Sequence, residues 1–144
     1  MARTRQLCTF HLQDLYLGVD VTRVQEVIRY QEMTRVPLAS PEVRGLINLR
    51  GQIVTALELR TRLGLPPRAA DRQPMNVVIR VGDATVSLLV DEIGDVVEVS
   101  DDAFERVPDT LPADMRSLCR GVYKLNPLLL LLDPERAVGH RAEA

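Results

Sequence analysis

Apolar positions along this chain come in short runs broken by turn-forming residues, and within several runs they alternate with polar ones. That pattern predicts half-buried β-strands rather than helices, whose apolar positions recur every three or four residues over longer spans. Residues 7–12 (LCTFHL) read as a strand, Asp14 as a turn, and 15–21 (LYLGVDV) as the returning arm of a hairpin. Residues 24–30 (VQEVIRY) put Val24, Val27 and Ile28 on one helical face, but the short, Val/Ile-rich stretch favours a strand. Ser40-Pro41-Glu42 has the N-cap, first-position proline and first-turn acid of a helix start, with Gly45 keeping that helix short. LINLR and QIVTALEL read as strands around Gly51, and 57–64 (LELRTRLG) as a brief helix halted by Gly64 and Pro66-Pro67. Residues 66–74 (PPRAADRQP) are the one linker-like stretch.

Beyond the linker the pattern starts again. MNVVIRV is a strand, Gly82-Asp83 a tight turn and ATVSLLV the returning strand. Val19-Asp20 recurs as Val90-Asp91 and Arg35-Val36-Pro37 as Arg106-Val107-Pro108, both 71 residues later; Arg44-Gly45 recurs as Arg120-Gly121, 76 residues later. An ordered series of matches separated by a linker predicts a duplication. The halves are roughly residues 7–65, expected as a first barrel, and 75–138, expected as a second. Each holds about five short strands, too few for a large open sheet with protected edges, so closure into a small barrel is the expected answer. The leucine run 128–132, bounded by Asn126-Pro127 and Asp133-Pro134, suits a strand buried on both faces.

Composition narrows the function. A chain of 144 residues with 46% hydrophobic residues fills one domain's core, while a net charge of −2 and 3% aromatics argue against a nucleic-acid binder, which needs a basic surface and stacking platforms. Cys8 and Cys119 lie far apart without a CxxC spacing, and neither His11 nor His140 has a metal-ligand neighbour at a useful offset, so no metal or cofactor is expected. The start MARTRQLCTF lacks the apolar core of a signal peptide, and no window reaches the length of a membrane span. The expectation is a soluble cytoplasmic protein without direct membrane insertion. Asp20, Glu26, Asp91 and Glu98 are acids near apolar strands, so a carboxylate pair is conceivable. No nucleophile–base arrangement or phosphate loop accompanies them, and catalysis is not expected.

The stretch 43–54, VRGLINLRGQIV, carries the sharpest question. It reads as a buried strand, yet contains Arg44-Gly45 and Arg50-Gly51. An arginine is always charged and costly to bury alone, so Arg50 must reach an acid or the surface. Gly45 and Gly121 read as tight corners into strands.

VQEV, TRVP, VRGLINLRGQIV, LELRTRLGL (57–65) and LLVDEIGDVVEV (88–99), in that order, resemble the CheW-type coupling proteins of bacterial chemosensory arrays over about residues 7–138. The resemblance implies a mainly β fold of two intertwined five-stranded barrels, similar to Src-homology-3 barrels, with short helices in a single domain. It implies a non-catalytic adaptor between the cytoplasmic tips of chemoreceptors and the regulatory domain of the chemotaxis histidine kinase, at arrays on the inner face of the membrane. It pairs Arg50 with Glu26 and places Val24, Val27, Ile93 and Val96 in a receptor-binding groove, with Gly45 nearby; Val77 and Ser87 are its implied kinase contacts. The chain departs from the family at 55–59, where TALEL replaces a common Pro-Val-Ile-Asp-Leu, and in a short C-terminal helix from Asp133-Pro134-Glu135. An adaptor of a chemosensory-like pathway for surface motility or gene regulation is the alternative, and a small-barrel nucleic-acid binder the remote one.

Overall fold

Alternation translates directly into paired strands. β1 (Thr4–Leu12) and β2 (Leu15–Asp20) form an antiparallel hairpin, and Asp20 caps a 3-10 turn by accepting a hydrogen bond from the Thr22 amide at 3.0 Å. β3 (Val24–Ile28), β4 (Val43–Leu49), β5 (Gln52–Glu58) and α1 (Leu59–Arg62) complete the first half. The second half contains β6 (Met75–Val81), β7 (Ala84–Val90), β8 (Glu92–Ser100), β9 (Phe104–Glu105), α2 (Ala113–Leu118), β10 (Cys119–Tyr123), β11 (Leu129–Leu132) and α3 (Pro134–Val138). This is a computed structural model, and it describes residues 3–139; His140 lies outside them. α1, α3 and the leucine strand stand where the sequence puts them. The expected helix at Ser40 does not form: Val43 N donates to Ser40 O at 2.9 Å, closing a turn, and β4 begins at once. The backbone amides there find partners in the strand ladder, which outweighs a good local start signal.

Strand order is β3-β6-β7-β5-β4 in one sheet and β8-β1-β2-β11-β10-β9 in the other. Matching β1–β5 to β6, β7, β8, β10 and β11 turns the first order into the second, with β9 added. The parallel pair β5–β7 likewise becomes β11–β2. The fold thus repeats with the halves interlocked. The division into a barrel from 7–65 and another from 75–138 is corrected by this pairing: β1 and β2 belong to the sheet of β8–β11, and β6 and β7 to the sheet of β3–β5. Each half's leading hairpin takes its flanking hydrogen-bond partners from the other half, so neither half can satisfy its backbone alone. Both sheets close on themselves. β9 follows β8 after one 3-10 turn and returns to β10, while Thr34, downstream of β3, exchanges two backbone hydrogen bonds of 2.9 and 2.8 Å with Leu46 on β4.

Three apolar clusters follow. Leu7, Val99, Tyr123, Leu129 and Leu131 form one, and Ile47, Val54, Ala56 and Leu89 another. A larger cluster, which includes Phe10, Leu17, Leu57, Ile79, Leu88, Leu130 and Leu132, draws on both sheets. β11 therefore sends alternate leucines to different clusters, the two-sided burial expected of an unbroken apolar run. Met115 and Leu118 of α2 also enter the larger cluster.

Candidate docking surfaces

Arg50 and Gly51 are the two residues between the paired Leu49 and Gln52, and both have positive φ, 52° and 88°. Two left-handed residues in a two-residue hairpin loop match the twist of the flanking strands. The Asn48 side chain accepts from Gly51 N at 2.9 Å and fixes the turn. Arg50 thereby leaves the strand, and its guanidinium donates from Nη1 and Nη2 to the two carboxylate oxygens of Glu26 on β3, both at 2.9 Å. The Arg50 side chain is 79% exposed and that of Glu26 17%, so this is a rim clasp rather than a buried pair. The expected partner and the expected surface position both hold.

Arg44 takes another route. It lies 3.5 Å from Glu58, at the edge of a buried network that the sequence does not announce. Arg68, from the linker, binds Glu58 through both terminal nitrogens (2.7 and 3.1 Å) and Asp91 through Nε (2.8 Å); Arg60 binds Asp91 through Nε and Nη2 (2.9 and 2.6 Å). Gln13 N adds a hydrogen bond to Asp91 at 2.7 Å, and Arg60 also donates to Pro66 O at 2.7 Å. None of the side chains of Glu58, Arg60, Arg68 and Asp91 is more than 11% exposed. Burial alone would raise the Asp91 pKa, but the hydrogen bonds from Arg60, the Gln13 amide and Arg68, with the charge of Arg68, hold it down at about 2. The available signal was an arginine-rich run, LELRTRLGLPPR, facing an acid at the repeated Val-Asp. Cys8 and Cys119 are free thiols, and burial pushes Cys119 up to about 11.

Gly45 is buried at a β-bulge, where an added Cβ would stand 2.7 Å from Thr34 O. Gly121 repeats this, with its Cβ position 2.7 Å from Glu105 O. The glycines are required by close backbone approach where each barrel closes. Val24 and Val27 lie on β3, and Ile93 and Val96 on β8, edge strands of different sheets. Val24 and Ile93 are partly buried against the shared core, while Val27 and Val96 are 43% and 57% exposed. Val77 and Ser87 are corrected: at 1% and 0% exposure neither can touch a partner in this fold. Ser87 is polar but interior, because its hydroxyl donates to Asn76 Oδ1 at 2.7 Å. Among the described residues no helix is long and apolar enough to cross a membrane, and no group of three or more His, Cys, Asp or Glu is placed to hold a metal.

Comparison with known proteins agrees with this architecture. The chain is 31% identical over 129 residues to the chemotaxis protein CheW of Bacillus subtilis, covering 89% of this chain and 83% of that one. It is 30% identical over 128 residues to CheW of Rhizobium meliloti, with the same coverage, and 23% identical over 132 residues to the protein PilI of Pseudomonas aeruginosa, covering 92% and 74%. The crystal structure of the scaffolding protein TtCheW from Thermoanaerobacter tengcongensis superposes with a TM-score of 0.83 at 21% identity, covering 94% of this chain and 92% of that one. With the family model for the CheW-like domain matching residues 6–142, the chain belongs to the CheW-like domain family.

Proposed function

We propose that this protein is a non-catalytic adaptor that couples the cytoplasmic tips of chemoreceptors to the regulatory domain of a chemotaxis histidine kinase, at arrays on the inner face of the membrane. The observation that carries this reading is the Arg50–Glu26 clasp beside the half-exposed Val27. It sets a charged rim next to apolar side chains, which suits an amphipathic helix. Val24, Val27, Ile93 and Val96 line the receptor groove in this reading, with Gly45 holding β4 in place behind it. The kinase domain uses a different surface, and Val77 and Ser87 are not part of it. Asp91 stays a fixed anion near neutral pH, which removes it as a proton donor or acceptor. Relatives at 30–31% identity are named for chemotaxis and the PilI relative stands at 23%, which ranks the chemotaxis reading above that of another chemosensory-like pathway.

The test is titration of wild type, Val27→Glu and Val96→Glu against a receptor-tip fragment and, separately, against the kinase regulatory domain. A charge placed in the docked groove should lower receptor affinity tens-fold or more and leave kinase affinity nearly unchanged. Equal losses for both partners in a folded variant overturn the two-surface reading. Absence of binding by wild type to either overturns the coupling function.

A further inference from the structure

The segment between β3 and β4 carries a feature that the Arg50–Glu26 rim does not use. Val36-Pro37-Leu38-Ala39 is a tight turn, with Ala39 N donating to Val36 O at 3.3 Å, and Leu38 in its third position has φ 63°. That position normally takes glycine or asparagine, because a side chain is strained there. Leu38 is nevertheless a leucine, and it is fully exposed. Among the described residues no side chain covers it. Beside it lies a cleft of about 900 Å³ walled by Tyr30, Met33 and Val43. Among the described residues, the charged ones lining that cleft are Arg35 and Arg44, with no carboxylate. Arg44 is half exposed and is the second, more distant arginine on Glu58, after Arg68; Arg35 has no ion pair among the described residues.

The second half shows what such a segment takes when it is self-sufficient. Its copy of the stretch between Arg-Val-Pro and Arg-Gly is five residues longer, the growth of the offset from 71 to 76. It uses them to wind α2, whose Met115 and Leu118, three apart, bury themselves in the core. Asp109 stands there at the repeat position of Leu38. The first half has no such helix, and its apolar side chains face an open cleft.

The geometry points to a second docking surface, on which Leu38 and the cleft beside it receive an amphipathic helix of a protein partner, with apolar residues three and four apart and carboxylates flanking them toward Arg35 and Arg44. This surface is separate from the receptor rim. Arg44 and Arg50 lie six residues apart on β4 and its turn, about 20 Å for an extended strand. The inference does not depend on which proteins the rim binds.

The probe is a synthetic amphipathic helix with a leucine seam flanked by glutamates, compared with a twin carrying lysines in place of the glutamates. Each is titrated into the full-length, isotope-labelled protein, and amide shifts are mapped by NMR. The acidic peptide should bind at least tenfold tighter than the basic one. Its shift changes should fall on residues 30–44 and spare Glu26 and Arg50. Leu38→Gly should cut its affinity at least tenfold while raising the denaturation midpoint, because the substitution removes the contact and the backbone strain together; unfolding cannot imitate that combination. Arg35→Glu should invert the preference between the peptides. Lack of binding by the acidic peptide, shifts centred on the Glu26–Arg50 rim, or unchanged affinity in Leu38→Gly would each overturn the proposal.

Discussion

Replacing Asp91 with asparagine removes the charge at the centre of the buried network and almost none of its volume. Two routes give the magnitude. The carboxyl sits at about 2 rather than 3.8, and each pH unit of that difference carries about 1.4 kcal/mol, so the native environment favours the ion by about 2 kcal/mol. The substitution also leaves Arg60 without its bidentate carboxylate in a site where both side chains are only 11% exposed. Breaking a buried pair from one side costs about 3–5 kcal/mol. The larger figure applies to Asp91→Asn, because both Arg60 and Arg68 lose their counter-charge on Asp91 and the amide turns an NH2 donor toward their N–H groups. Urea denaturation followed by circular dichroism at neutral pH measures it, and a cycle with Arg60→Ala isolates the pair. A loss below about 1 kcal/mol, the range of exposed pairs, would refute the claim that this network is shielded from water. The pH dependence has a definite sign. A depressed carboxylate pKa contributes stability that is whole above 3.8 and is lost as pH falls toward about 2, so wild type should weaken across that window and Asp91→Asn should weaken less there.

The Glu26–Arg50 clasp should behave oppositely: with Arg50 79% exposed, a cycle of Glu26→Ala and Arg50→Ala should show coupling under about 1 kcal/mol, shrinking further at high salt, and no coupling at low salt would mean the side chains do not meet. Gly45→Ala and Gly121→Ala should each cost about 1–3 kcal/mol by driving a methyl into a backbone carbonyl, and at Gly121 also into the Phe104 ring, read as a fall in denaturation midpoint. Gly51→Ala meets open space, and its cost should be about 1 kcal/mol, from positive φ alone; similar losses at all three sites would show that crowding is not what selects Gly45 and Gly121. Val77→Glu should unfold the protein rather than trim one interaction, so a folded variant by circular dichroism would contradict its interior position.

What the sequence made legible was local or duplicated. The leucine strand, the Arg50-Gly51 turn and α1 each carry their signal within a few residues, and the 71-residue offset exposed two copies. The exchange of hairpins between copies was not legible, because alternation says that a strand has a buried face and is silent on which strand lies beside it. α2 escaped because Met115 and Leu118 are too few to establish a period in ADMRSL. Ser87 stood at a partner surface only through the family resemblance, and the distant Asn76 explains its burial. The Arg68 bridge was hidden because a linker arginine reads as solvated until the fold brings two acids to it.

The duplicated positions have diverged unevenly, and the pattern separates support from recognition. Gly45 and Gly121 both meet a backbone carbonyl, and Glu58 and Asp133 both cap a short helix while facing Arg44 and Arg120 at 3.5 and 3.9 Å. These pairs sit where the barrels close and turn, and a change in either copy would strain the backbone. At the rims the copies no longer match: Glu26 corresponds to Val97 and Leu38 to Asp109. An adaptor needs this combination, with different surfaces held at a fixed separation. The exchanged hairpins supply the fixed separation, because β6 and β7 cannot shift within one sheet without moving β8 in the other, to which Asp91 joins them. Asp91 is the single residue between β7 and β8, and its two arginines tie that crossover to α1 and to the linker. The network therefore ties the β7–β8 crossover to α1 and the linker as well as contributing stability, and loosening it should blur the geometry between the proposed docking surfaces before it alters either surface itself.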